Sequence, residues 1–154
     1  MVSLAERIEL YWLKQNLRLR QGVLIEQIMD FEAKYGVRLP DDMREYFSVV
    51  NGMDQSEHWM ADDNFISFWA LDEVKPLAEE MPECVCESAD SYFVFADYSI
   101  FAYAYAIRLS AAGNESHPVI VTYDRPVVIA NSFTDFMEQY LRGNKNILFP
   151  APEA

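Results

Sequence analysis

The sequence holds two cysteines and two histidines, Cys84, Cys86, His58 and His117, and these are its candidate transition-metal ligands. A structural zinc site needs four ligands in two short-spaced pairs; only the cysteines stand close together, and neither histidine belongs to an HExxH pair. No serine sits in a GxSxG nucleophile elbow. Five glycines spread over 154 residues leave no phosphate-cradling loop. Asp62, Asp63 and Asp97 could in principle converge as an acid/base pair, but acidic neighbours are commonplace in a chain with 25 Asp and Glu. These patterns make no case for catalysis, a cofactor or a metal. Cys84 and Cys86 are expected to be reduced thiols, because alternate positions on an extended segment lack the separation a bridge requires.

What remains is charge. Lys and Arg number 12 against 25 Asp and Glu, a net charge of -13, and residues 54 to 90 hold eleven carboxylates against Lys75 alone. A field of that sign repels nucleic acid and anionic membranes. No cationic and then apolar leader opens the sequence, and no run of about eighteen apolar residues occurs, so a cytoplasmic location is expected. The acidic stretch reads either as a solvated face or as a patch that attracts a basic protein partner. In the second reading Asp62, Asp63, Asp72, Glu73, Glu79, Glu80 and Glu83 supply the field. Trp59, Trp69 and Tyr98, with Asp97 beside them, supply apolar anchoring wherever they are exposed.

Length and a 51% apolar composition suit one domain over 1–154 with no disulfide or metal staple. Ser3, with Glu6 three residues on, opens a helix bearing Leu4, Ile8, Tyr11 and Trp12. Leu24, Ile28, Phe31 and Tyr35 give the stripe of a second helix, stopped by Gly36. Pro40 and the acids Asp41 and Asp42 start a third, which buries Met43, Tyr46, Phe47 and Val50. Asn51-Gly52 is expected to cap its end, although the pair would also fit a hairpin turn.

From residue 64 the period changes to two. Strands are expected at 65–71, 92–96, 101–109, 119–123 and 127–130, with a helical turn over 72–80. Phe101, Tyr103, Tyr105, Ile107 and Leu109 alternate with alanines, leaving a small-residue face that a helix or another chain could approach closely. The aromatics from Tyr92 to Tyr105 serve a half-buried sheet, their outward members open to a partner. Ser132 caps a last helix bearing Phe133, Phe136, Met137, Tyr140 and Leu141, and Ile147, Leu148 and Phe149 tuck against the body. Helices first, a mainly antiparallel sheet of at least four strands next, and a C-terminal helix on that sheet make an α+β fold. An open sheet edge allows a monomer or a weak homodimer.

The order of these pieces resembles the SUKH superfamily, which includes fungal cell-wall-assembly regulators and many bacterial toxin-immunity proteins. The resemblance spans 22–142. It is carried by Phe31-Glu32-Ala33-Lys34-Tyr35-Gly36-Val37, then Leu39-Pro40-Asp41-Asp42, then the run ending in Asn51-Gly52. Leu71-Asp72-Glu73-Val74, Phe93-Val94-Phe95-Ala96-Asp97 and the Ser132-Phe133 to Phe136 helix opening complete it. The resemblance implies a non-catalytic protein-binding domain: an immunity protein that neutralises a cognate toxin, a basic nuclease domain being one such partner, or a regulatory module with a cellular partner. Leu39, Pro40, Asn51, Gly52, Ser132, Phe133 and Phe136 are then fold-defining positions. Where many relatives carry glycines after Asp97, this chain has Tyr98, Ser99, Ile100 and Phe101. Such a loop is expected to have less access to left-handed backbone, so no role of that glycine loop is carried over.

Overall fold

The computed structural model describes residues 2–83, 86–112, 116–122 and 125–147; the expectations for Cys84, Leu148 and Phe149 lie outside them. Helix α1 (Leu4–Lys14) begins as its sequence requires. Ser3 Oγ accepts the Glu6 N–H at 3.2 Å, and Glu6 Oε1 accepts the Ser3 N–H at 3.4 Å. Helix α2 (Ile25–Tyr35) stops at Gly36, whose φ is 64°. Its stripe differs from expectation at one end: Leu24 precedes the first turn and is 66% exposed, while Val23 enters the core. Helix α3 (Asp41–Val49) enters from Pro40 at φ -63° and buries Met43, Tyr46 and Phe47. Glu32 ties α2 to α3, accepting the Leu39 N–H at 2.7 Å and the Arg44 Nη2 at 2.7 and 2.8 Å.

Asn51 and Gly52 do not cap α3. The chain runs from Val49 directly into β2 (Val50–Met53), which pairs antiparallel with β1 (Leu19–Gln21) in a two-stranded sheet. Strands this short leave too few residues for alternation to register in the sequence. The motif instead clamps the segment that follows β3 (Ile66–Phe68). Buried Asn51 accepts the Leu71 N–H through Oδ1 at 2.7 Å. Gly52 has φ 69°, and a Cβ there would lie 2.6 Å from the Trp69 carbonyl, so the position requires glycine on two counts.

Among the described residues the main sheet has six strands, all antiparallel. The strand β5 (Tyr92–Tyr98) pairs on one side with β3 and, further along, with β4 (Lys75–Pro76). On its other side follow β6 (Tyr103–Arg108), β7 (Val119–Thr122) and β8 (Pro126–Ala130). One face carries Phe68, Phe93, Phe95, Tyr105 and Ile107 into the main core beneath the helices. The last helix, α5 (Phe133–Leu141), packs there, the Phe136 ring 5.3 Å from those of Phe95 and Tyr105. Ser132 Oγ caps the Asp135 N–H at 3.0 Å. The shorter Asp135 side chain accepts the Asn131 N–H at 2.9 Å instead of closing the box on Ser132 itself.

The opposite face, with Val94, Ala104, Ala106 and Ile120, is small and apolar as the alanine alternation predicts. It is covered by the chain's own acidic segment: Leu77 of α4 (Leu77–Glu80), then Met81 and Ala89, with Trp69 and Phe101 alongside.

Candidate partner-binding site

The site originates in one irregularity of β5. Val94 stands opposite Ala106 and Ala96 opposite Tyr105, so Phe95 is the extra residue of a bulge. Strict alternation would send Asp97 into the aromatic core with Phe93 and Phe95. The extra residue turns it to the other face, in register with Ser67 and Ala104. There Asp97 Oδ1 accepts the Trp69 indole N–H and Oδ2 the Phe101 backbone N–H, each at 2.7 Å. Burial pushes the Asp97 carboxyl above the ordinary range, and the two donors act against that shift.

The turn between β5 and β6 is left-handed at three successive residues, with φ of 52°, 53° and 66° at Ser99, Ile100 and Phe101, and the Ala102 N–H on the Tyr98 carbonyl at 2.8 Å. The loop thus takes up left-handed backbone without glycine, where less access to it was expected. Each such residue costs about 1 kcal/mol or more. The surroundings offset that cost. Asp97 holds the Phe101 N–H, the Ser99 N–H donates to the Phe65 carbonyl at 2.8 Å, and the Tyr98 and Tyr103 rings stack at 5.1 Å. Phe65 is itself left-handed, at φ 66°. The outcome is a tip on which Ile100 is 73% and Phe65 57% exposed.

Adjoining this tip is a groove of about 360 Å³ lined by Gln55, Trp59, Ser67, Trp69, Glu73 and Asp97. Its walls are fixed from within. Gln55 Nε2 donates to Ser67 Oγ at 2.8 Å and to the Met60 carbonyl at 2.9 Å, while Gln55 Oε1 accepts the Met60 N–H at 2.6 Å. Trp69 packs on Phe101 with ring centres 5.6 Å apart. Glu73 Oε1 accepts the Ala70 N–H at 2.8 Å, and Trp59 remains 44% exposed. Two further grooves, of about 270 and 460 Å³, each include a base, Lys34 and Arg108 respectively; the groove of Trp59 includes none.

The groove therefore unites Trp59, Trp69, Glu73 and Asp97 from the residues expected to meet a partner. The rest are placed differently. Asp63, Glu79 and Glu83 are exposed, and Tyr98 is half-buried against Tyr103. Asp72 is paired with Arg20 at 3.0 Å, and Glu80 lies 3.9 Å from Lys75. Arg18 likewise stands 3.4 Å from Asp54 and 2.5 Å from Glu57. Two arginines beside or within β1 thus offset acids that a count along residues 54 to 90 leaves uncompensated.

Asp62 corrects the expectation of an outward charge. It is buried: Oδ2 accepts the Tyr140 hydroxyl, and Oδ1 accepts the Asn64 and Ile66 N–H groups at 2.8 and 3.0 Å. Tyr140 in turn accepts the Trp12 indole N–H at 2.8 Å. Burial raises the Asp62 carboxyl, and its hydrogen bonds lower it. With Asp62 among main-core partners and Asp97 among those of the smaller face, the two carboxylates do not form an acid/base pair. Sequence reasoning missed Gln55, Ser67, Phe65 and Ile100 as parts of the site. No signal for them stands in the linear pattern, because a bulge and a strained turn assemble them.

Among the described residues no group of three or more His, Cys, Asp or Glu could hold a metal ion. Cys86 is half-buried, its Sγ 3.4 Å from the Glu87 carbonyl. Among the same residues no helix is long and apolar enough to cross a membrane.

Residues 22–139 match the SMI1 / KNR4 family (SUKH-1). The chain belongs to that family. SUKH proteins often act as toxin-immunity or interaction modules, and the helices, antiparallel sheet and C-terminal helix described above have the SUKH-like architecture. The SUKH match contains every residue of the groove and tip. It starts after α1, yet Ile8 and Trp12 of α1 are fully buried in the same core. No curated protein matches the chain.

Proposed function

We propose that this SUKH protein is a non-catalytic immunity protein of the cytoplasm that binds and neutralises a cognate toxin domain with a basic surface. One observation carries the reading. The groove and tip are where exposed apolar side chains, Trp59, Phe65 and Ile100, coincide with Glu73 and Asp97 and with no lining base. Aromatic anchors hold an interface together, and complementary charge brings it together quickly. Exposed Asp63, Glu79 and Glu83 extend the field outward. Neutralisation needs only occupancy of the toxin's surface.

The test is coexpression. A toxin-domain gene found beside this one is expressed with the wild-type chain or with Trp59→Ala/Ile100→Ser, and growth is followed. The wild type should restore growth and the variant should not. Growth restored equally by both places the interface elsewhere. No rescue by the wild type, together with capture of a host regulator, would replace immunity with a regulatory role.

A further inference from the structure

We infer that the groove seats a single arginine side chain of the protein partner. This rests on the reading of the chain as a binder of a basic protein and names the contact that reading needs. Trp59 and Trp69 present indole surface, one 44% exposed and the other half-buried, and the groove between them carries two acids. Asp97 is committed to internal donors through both oxygens. Glu73 is not: Oε1 holds the Ala70 N–H, and Oε2 has no donor among the described residues.

An indole face beside an available carboxylate oxygen is the environment a cation prefers, since the ring quadrupole and the charge attract it together. A guanidinium fits better than an ammonium. It is planar, stacks on an aromatic ring, is weakly hydrated, and aims its fork of N–H donors at a carboxylate edge. A volume of about 360 Å³ lies at the small end of ligand pockets, which suits one side chain rather than a folded segment. The exposed tip at Phe65 and Ile100 then meets the apolar surface around that arginine, and the left-handed turn keeps this contact rigid before binding.

The experiment needs no partner. The full chain is titrated with N-acetyl-arginine amide, with the citrulline and lysine counterparts as controls, and the three indole N–H resonances are followed by NMR. Trp12, buried and bonded to Tyr140, is the internal reference. The Trp59 and Trp69 signals should move saturably with a dissociation constant in the millimolar range. The citrulline compound should not saturate, and the lysine compound should bind several-fold more weakly. Glu73→Gln retains an acceptor for the Ala70 N–H and should weaken arginine binding about tenfold without altering the Trp12 signal.

Absence of saturation, equal binding of citrulline, or an unchanged constant in Glu73→Gln overturns the inference. A partner later found to bind through this end without a basic residue in the groove overturns it too, and leaves the immunity reading intact. Arginine binding by a chain that rescues no toxin supports the groove assignment while removing the toxin.

Discussion

Asp62 and Asp97 are both buried, both accept from hydroxyl or N–H donors, and both have carboxyls raised by burial, yet they serve opposite ends. Asp62 lies on the core side, where Tyr140 and Trp12 continue its network between α5 and α1. A hydroxyl can accept as well as donate, so a donor placed at position 62 would still meet an acceptor there, at the cost of the partner of the hydroxyl's own proton. Asp97 lies on the smaller side, where both partners, an indole and a backbone N–H, can only donate. It must present acceptors on both oxygens, and in doing so it fixes the Trp69 wall of the groove and the strained tip at once. The same residue type thus closes an interior in one place and shapes a surface in the other.

The heaviest perturbation of the groove side is Gly52→Ala, which places a methyl group against the Trp69 carbonyl and forces a side chain to φ 69°. Overpacking and left-handed strain together predict a loss of about 3 kcal/mol or more in urea denaturation. A loss under about 1 kcal/mol would mean that the 69–71 segment yields, and that the groove wall is not rigid.

The aspartates themselves provide the next test. Asp97→Asn sets an amide N–H against a donor that cannot accept, and should cost about 2 kcal/mol. Asp62→Asn keeps Oδ1 for its two backbone donors and turns an amide toward the Tyr140 hydroxyl, which can accept it but leaves its own proton without Asp62, so a smaller loss of about 1 kcal/mol is expected. Equal costs, measured side by side from denaturation midpoints, would mean that the two carboxylates are held alike.

The smallest effect is with pH. Both carboxyls sit above their ordinary value near 4, so the native state holds these protons more tightly than the unfolded chain does. Stability therefore declines as pH rises from the unfolded value through the folded one and is level above it. The midpoint should be higher at pH about 4 than at pH 7, and Asp62→Asn should reduce the difference. Self-repulsion at a net charge of -13 has the same sign, so the comparison belongs in about 0.5 M salt, where that contribution is screened. An unchanged difference in Asp62→Asn would contradict the burial argument.

The longer helices and the main sheet were legible in the sequence because their chief elements carry a clear apolar period: Met43, Tyr46 and Phe47 for α3, Tyr103 to Ile107 for β6, Phe133 to Tyr140 for α5. The SUKH motifs read correctly as to family and incorrectly as to use at Asn51-Gly52, since a helix cap and a buried clamp ask for the same two residues. Trp59, Trp69, Glu73 and Asp97 were named from residue type and acidity alone. Their meeting place was not visible, because it depends on the parity change at Phe95 and on left-handed backbone at residues that rarely adopt it. Asp62 was misplaced for a related reason: composition treats every carboxylate as outward, and only the reach of Tyr140 from a helix 78 residues away shows otherwise.

Whether the groove and tip form the partner-binding end can be read from amide hydrogen exchange on the chain alone and in complex with its captured partner. Added protection is expected at 65–73 and 97–102 in the complex, weakened by Trp59→Ala, with α2 and β8 unchanged. Protection confined to α2 or to the β8 edge, with 97–102 exchanging as in the free chain, would contradict that placement.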